Sequence, residues 1–381
     1  MFNKIDPYLQ NLVNVCGSNN AEHSCVIYSS NIDCLKRYIL KNNLCKVVAT
    51  YPFISAVGIK INNENIFKVA KLNVVSYITV SARVSCMIAN SKKVLNLPKN
   101  LEVNNSFTCA IIDTGVAPTI DLCVPENRIV YFKDFINNKE VPYDDNGHGT
   151  FVASVLCGNG LVSGGKYSGI VKNQKIVAIK ALNNKGETDA FTILDAFEWV
   201  YKNHKKYGIK VVCMSFGSNV LGKNDPLIKG AEALWDEGIC VVVAGGNSGP
   251  EIESIKSPGA SPKLITVGAI DAKGNNLKIA DFSSRGPILN NYKPDLVAPG
   301  VDIIAGCSYA LNKKHYTVMS GTSVSTPIIA GIVCNILSNN KVLNPSKVKN
   351  FLIKNCIPIT YNRNAEGFGY FNGDALKNNL G

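Results

Sequence analysis

The sequence has no CxxC pair, although it holds thirteen cysteines among 381 residues. The closest, Cys16/Cys25 and Cys25/Cys34, stand nine apart, which disfavours a structural zinc site and a thioredoxin-type redox motif. The count is odd, and Cys109, Cys213, Cys240 and Cys334 lie inside apolar runs. They read as free thiols acting as small buried hydrophobes in a reducing compartment. No apolar run approaches the ~18 residues that a membrane helix needs. The best candidate, 327–334, stops at Asn335. A secretory signal is also missing, because Asp6, Pro7, Gln10 and Asn11 interrupt any apolar segment after Lys4. These absences lead to the expectation of a soluble, cytoplasmic protein with no membrane partner, export by a non-standard route being left open.

Charge is sparse, at 18% of residues, and lopsided, with 40 Lys/Arg against 28 Asp/Glu. The net +12 lies mostly in residues 1–100, which hold 12 basic against 4 acidic side chains. No zinc finger, RNP-like aromatic motif or dense basic helix accompanies the excess. It therefore reads as a solvated Lys-rich surface, and no nucleic-acid partner is expected. Hydrophobic residues make up 46% of the chain, enough for a large buried core. The length allows two or three domains.

Two compositional regimes follow. Short apolar runs at 24–28, 45–50, 56–61 and 74–80 read as strands, and 64–72 reads as a helix with Ile66, Val69 and Ala70 on one face. A further helix begins at the cap Asn31 and carries Cys34, Leu35, Tyr38 and Ile39. The order βαββαβ is that of a small ferredoxin-like domain, assigned to 1–90. Residues 81–105, with Ser91, Lys92, Lys93 and the stretch 97–100, read as a connector, and the linker proper is set at 91–105. From 106 to 381, strands at 108–113, 175–182, 210–215, 239–244 and 264–269 alternate with helices at 148–157, 191–206, 226–237, 323–338 and 345–356. Nearly all-apolar strands between helices predict an α/β domain, a parallel sheet covered on both faces.

In such a sheet, reactive groups collect where strands end and helices begin. Three places qualify. The strand 108–113 delivers Asp113 just before a Gly turn. His148 stands between Gly147 and Gly149 at a helix start, as though something approaches its ring closely. Ser323 opens a helix in the turn Ser320-Gly321-Thr322. Each alone is an ordinary cap or turn residue. Together, Asp, His and Ser in this order match one arrangement of a nucleophilic triad. A serine hydroxyl is a weak nucleophile, so an imidazole must take its proton and a carboxylate must hold the ring's other nitrogen. A fourth segment, the strand 239–244 running into Gly245-Gly246-Asn247, supplies a side-chain amide for an oxyanion.

The segments around Asp113, His148, Asn247 and Ser323, with 281–287 and 293–300, resemble the signature motifs of the subtilisin-like (subtilase) serine proteases over about 106–375. Lacking a visible signal, the chain resembles intracellular and AprX-like members more than secreted ones. The resemblance implies a serine endopeptidase acting on protein or peptide substrates, with Asp113, His148 and Ser323 as triad and Asn247 in the oxyanion hole. It implies a substrate bound as an added strand between Ser215-Phe216-Gly217 and Gly186-Glu187-Thr188. Glu187 would favour basic side chains beside it. The 1–90 domain resembles the family's inhibitory propeptides, so the chain's own N-terminal domain is an expected partner, with self-cleavage between Ser81 and Asn100. Because both parts are net basic, docking should rest on apolar contact and strand pairing. No cofactor is expected. Calcium is possible, but from Asn146 to Gly186 no Asp or Glu occurs, so the usual carboxylate loop is not evident. The rival reading is a catalytically silent subtilase-fold scaffold or signalling protein. Residues 160–167 nearly spell a P-loop, but Tyr167 stands where a Ser/Thr is needed.

Overall fold

A computed structural model describes residues 4–7, 9, 10, 13, 22–81, 83–86, 95–98, 101–104, 106–272, 277–339 and 343–376. The N-terminal unit runs β1 (Glu22–Ser29), α1 (Ile32–Lys41), β2 (Lys46–Tyr51), β3 (Ala56–Asn62), α2 (Asn63–Ala70), β4 (Val75–Val80), with every boundary within two residues of expectation. Its sheet is antiparallel in the order β2-β3-β1-β4. Asn31 starts α1 by accepting the Cys34 N–H at 2.9 Å, and Asn62 starts α2 by accepting that of Asn65 at 3.0 Å. The sheet's period-two alternation serves two cores. Cys25, Ile27, Val57 and Ile59 pack with Leu35, Ile39, Ile66 and Val69 of the two helices. Val26, Tyr51 and Ala56 point the other way and join the core of the larger unit.

The larger unit is built on a ten-stranded sheet. Its strands are β6 (Thr108–Asp113), β7 (Ile129–Asp134), β8 (Ile176–Lys180), β10 (Ile209–Met214), β12 (Cys240–Ala244), β13 (Ile265–Asp271), β14 (Lys278–Ile279), β15 (Leu296–Pro299), β18 (Cys356–Ile357) and β19 (Tyr370–Phe371). They are ordered β18-β19-β15-β13-β12-β10-β6-β8-β7, with β14 beside β13, and β16 (Ile303–Gly306) pairs separately with β17 (Tyr316–Met319). All pairs are parallel except β18 with β19 and β14 with β13, so the sheet is mixed rather than purely parallel. β6, β8 and β12 are buried at every residue, as strands covered on both faces must be. The covering helices are α3 (His148–Cys157), α4 (Ala190–Tyr207), α5 (Pro226–Asp236), α6 (Thr322–Asn339) and α7 (Pro345–Lys354). α6 is eighteen residues long with a mean hydropathy of 1.2, longer as an apolar element than the 327–334 run suggested. It lies across β10, β12, β13 and β15, and 89% of it is buried inside the protein.

The connector expected at 81–105 needs correction at both ends. Residues Arg83–Cys86 form a strand, β5, which pairs antiparallel with β9 (Glu187–Asp189) on one side and β11 (Phe216–Gly217) on the other. Leu101 and Val103 are buried in the large core, and the Asn104 N–H donates to Ser338 Oγ at 2.7 Å. Apolar Leu and Val positions dispersed among Asn and Lys hid this burial from a compositional reading. Most of the segment between, including Ser91 to Lys93, lies outside the described residues.

Among the described residues the two units meet largely through apolar contact. Gly58 on β3 leaves room for the Phe191 ring, 2.9 Å from where a Cβ would stand. The Tyr51 hydroxyl donates to the Phe191 carbonyl at 3.2 Å, and the rings of Phe53 and Tyr201 lie 5.5 Å apart.

Candidate active site

Because β6, β10 and β12 run parallel, their C-terminal ends share one edge of the sheet, where α3 and α6 begin. Asp113 closes β6, fully buried. Its Oδ1 accepts the Thr114 N–H at 2.7 Å and faces His148 Nδ1 at 2.8 Å. A carboxylate can only accept there, so Nδ1 carries the proton and Nε2 is the basic nitrogen. The close approach depends on Gly149. A Cβ there would stand 2.1 Å from the Gly115 carbonyl oxygen and 3.1 Å from the Asp113 side chain.

Ser323, in the first turn of α6, is fully buried. Ser215 follows β10, and its hydroxyl donates to the Ser323 carbonyl at 2.8 Å. Asn247 follows β12. Its Oδ1 accepts from the Thr322 N–H at 2.9 Å and the Thr322 hydroxyl at 3.0 Å. These bonds fix the amide plane beside Ser323. The Nδ2 is buried and has no hydrogen-bond partner among the described residues. A buried donor left so costs about 1–3 kcal/mol, which marks it as a group held for an acceptor. The Asn247 turn is braced by Ser284, whose N–H donates to the Gly246 carbonyl at 2.9 Å and whose Oγ accepts the Ser248 N–H at 3.0 Å.

Beside these groups lies a three-stranded antiparallel sheet in the order β11-β5-β9. β11 pairs Phe216 with Cys86 and Gly217 with Ser85. β9 pairs Asp189 with Arg83, Thr188 with Val84 and Glu187 with Ser85. Gly186, at φ +74°, precedes β9 in a turn closed by its N–H on the Asn183 carbonyl at 2.9 Å. Of the residues expected to edge a substrate strand, Phe216, Gly217, Glu187 and Thr188 pair with β5, while Ser215 and Gly186 directly precede β11 and β9.

Residues 104–371 match the family model described as the subtilase family. The chain belongs to the subtilase family. Serine protease AprX of Bacillus subtilis is 40% identical over 286 residues, covering 69% of this chain and 64% of that protein. Subtilisin DY of Bacillus licheniformis is 34% identical over 245 residues, covering 64% of this chain and 80% of that one. The chain thus spans under two thirds of the AprX length. Among solved structures, fervidolysin from Fervidobacterium pennivorans, a keratinolytic enzyme related to subtilisin, superposes with a TM-score of 0.74 over 94% of this chain and 61% of that one, at 19% identity. Sphericase superposes with a TM-score of 0.62 at 24% identity, over 72% of this chain and 93% of its own. These two likenesses concern the fold, and the first reaches beyond the family match into the N-terminal unit.

The subtilase frame accounts for residues that sequence reasoning passed over. Buried Asp144 accepts through Oδ1 from Gly147 N–H at 2.8 Å and the Thr114 hydroxyl at 2.9 Å. Through Oδ2 it accepts from Thr150 N–H at 2.9 Å and the Thr150 hydroxyl at 2.6 Å. One carboxylate thereby caps the His148 helix and ties it to the strand that carries Asp113. An Asp four residues before a helix-opening His was the available signal. Lys180, fully buried at the end of β8, donates to the Thr114 carbonyl at 2.7 Å, the Leu182 carbonyl at 3.0 Å and Asp145 Oδ1 at 2.5 Å. It fastens the turn that follows Asp113. The family segment 293–300 is structural. Burial pushes the Lys293 ammonium down to about 7, opposed by Asp295 at 2.7 Å, and Lys349 of α7 reaches the same carboxylate at 2.8 Å. The near-P-loop at 160–167 follows a helix and opens with a 3-10 turn, Leu161–Ser163, so it does not have the strand-loop-helix context of a phosphate cradle.

Proposed function

We propose that this chain is a subtilisin-like serine endopeptidase, made as a precursor that inhibits itself. The single observation carrying this is β5, a strand of the chain's own, paired on both edges with β9 and β11. A groove that takes its own backbone as a strand suits peptide substrates of many sequences, since main-chain pairing does most of the holding. In this reading Ser323 Oγ attacks a peptide carbonyl carbon as His148 Nε2 removes its proton. Asp113 stabilises the imidazolium, and the oxyanion takes a hydrogen bond from Asn247 Nδ2 and the dipole of the α6 N-terminus. The imidazolium then gives its proton to the leaving amine as the C–N bond breaks. Water hydrolyses the acyl ester by the same proton path.

The N-terminal unit is, in the same proposal, a ferredoxin-like propeptide domain, with the peptidase domain after it. Antiparallel pairing of Phe216 with Cys86 brings the described part of β5 to within one residue of Ser215, the residue bonded to Ser323. This register supports self-cleavage after Met87, within the expected 81–100 interval. Two further parts of the reading are activity that requires no cofactor, with a calcium site still open, and a reducing cytoplasmic setting. Asp121 braces loop 158–169, accepting the Val162 N–H at 3.0 Å and the Tyr316 hydroxyl at 2.5 Å. Among the described residues eleven cysteines are free thiols, as a reducing setting would keep them. Treatment of the chain with a fluorophosphonate probe, with and without a chelator, tests the reading. Peptide mapping should find the label on Ser323 in both samples and a new N-terminus at Ile88. Labelling elsewhere, or none, would defeat the endopeptidase proposal.

Asn247→Ala should lower kcat by about 10²–10³ with little change in KM, because the amide acts only on the oxyanion. Steady-state kinetics on one peptide decide it, and a pure KM effect would assign Asn247 to substrate binding.

Docking of the N-terminal unit should depend on pH. Asp195 lies on α4 beneath Tyr51, and burial raises its carboxyl from 3.8 to about 6, Glu198 and Asp189 adding to the rise while the Tyr51 hydroxyl opposes it. A carboxyl that holds its proton more tightly when docked stabilises docking below its undocked pKa, and that stabilisation is lost as pH climbs through about 6. With Asp195 partly solvated, inhibition of the processed enzyme by its own N-terminal unit should weaken about tenfold between pH 4 and 7. Asp195→Asn should flatten that profile. An unchanged profile in the variant removes Asp195 from the account.

A further inference from the structure

Resting on the endopeptidase reading, we infer that Asp189, with Glu187, forms an acidic rim that selects a basic residue at the fifth position before the scissile bond. The register carries the inference. β5 lies antiparallel to β9 with Arg83 opposite Asp189 and Ser85 opposite Glu187. Residues directly opposite in a sheet share a face and neighbour each other most closely. Glu187 and Asp189 are both exposed, two apart on one strand and so on one face, whereas Thr188 between them is partly buried on the other. The groove's outer face at these two positions therefore presents carboxylates. With cleavage after residue 87, the position opposite Asp189 is the fifth on the amino side, and in the chain's own paired segment an arginine occupies it.

The Asp189 carboxylate is pinned in place. It caps α4, its Oδ1 accepting the Thr192 N–H at 2.9 Å and the Thr192 hydroxyl at 3.1 Å, and the residue is exposed. A fixed charge loses little side-chain freedom when a cation arrives. The nearest opposing charge in the sequence, Lys185, lies in the turn before β9 and is exposed. In a protein of net charge +12, a pair of acids on the substrate edge is a local reversal of sign. A single exposed pair of this kind changes an equilibrium by about two- to fivefold and weakens with salt.

The test uses the processed enzyme and three peptides that differ only at the fifth position before the cut, carrying Arg, Gln or Glu. At about 20 mM salt, kcat/KM should fall two- to fivefold at each step from Arg to Gln to Glu, mostly through KM, and the order should collapse near 1 M salt. Asp189→Asn keeps the helix cap and should abolish the Arg preference, so that the Arg and Gln peptides are cleaved at the same kcat/KM. Equal cleavage of Arg and Glu peptides, or a preference that survives Asp189→Asn, overturns the rim and leaves the endopeptidase reading intact. Failure to cleave any of the three overturns both.

Discussion

A Ser323→Ala chain remains in one piece and loses about 10⁴–10⁶ in kcat on any peptide that the wild type cleaves. The size of the loss follows from the neighbourhood. Among the described residues the neighbouring hydroxyls are engaged elsewhere. The Ser215 hydroxyl is committed to the Ser323 carbonyl, and Ser325 donates to the Ala298 and Pro299 carbonyls at 2.9 and 3.2 Å. The Thr322 hydroxyl is engaged with Asn247 Oδ1. Removing one buried oxygen leaves the α6 start intact, so the thermal midpoint should stay near that of the wild type. Intact mass after prolonged incubation reads self-processing, and a fluorogenic peptide reads turnover in trans. Processing of the alanine variant at the wild-type rate, in the absence of active enzyme, would show that the bond is cut by something other than Ser323.

Where burial is continuous, the sequence revealed its fold almost residue for residue. β6 and α3 have the expected bounds because an all-apolar strand ending in Asp-Thr-Gly and a helix opening on Gly-His-Gly leave little choice. The N-terminal unit was legible for a different reason, since its strands alternate and its helices carry Asn caps. What escaped notice shares one property, dependence on a partner remote in sequence. β5 has no apolar pattern of its own and is a strand only because β9 and β11 offer two unpaired edges. β7, with exposed Val130 beside buried Ile129 and Phe132, lies at the sheet's end and lacks the continuous run that marks its neighbours. Asp144 looks like any turn carboxylate until Thr114, thirty residues earlier, is seen donating to it. The four residues singled out for chemistry were readable because each sits at a strand end or helix start, where local sequence dictates geometry. The residues that hold them in register were not readable, because their partners are tertiary.

Asp113→Asn should cost about 10⁴ in kcat/KM near pH 7, with KM changed little. Both orientations of the new amide lose something specific. If its oxygen stays on His148 Nδ1 and the Thr114 N–H, the NH₂ group takes the place of Oδ2, which is buried with no hydrogen-bond partner among the described residues. The donor is then unsatisfied at a cost of about 1–3 kcal/mol. If the NH₂ turns toward Nδ1 instead, it donates to that nitrogen, the ring proton moves to Nε2, and the base faces Ser323 already protonated. In either case the imidazolium that forms during attack has lost the negative charge beside it. The same variant should react with the fluorophosphonate probe slower by a comparable factor, since that reagent needs the same proton removed from Ser323. Turnover within tenfold of the wild type would mean that the Asp113–His148 contact merely braces β6 against α3, and the base would have to be sought elsewhere along this edge of the sheet.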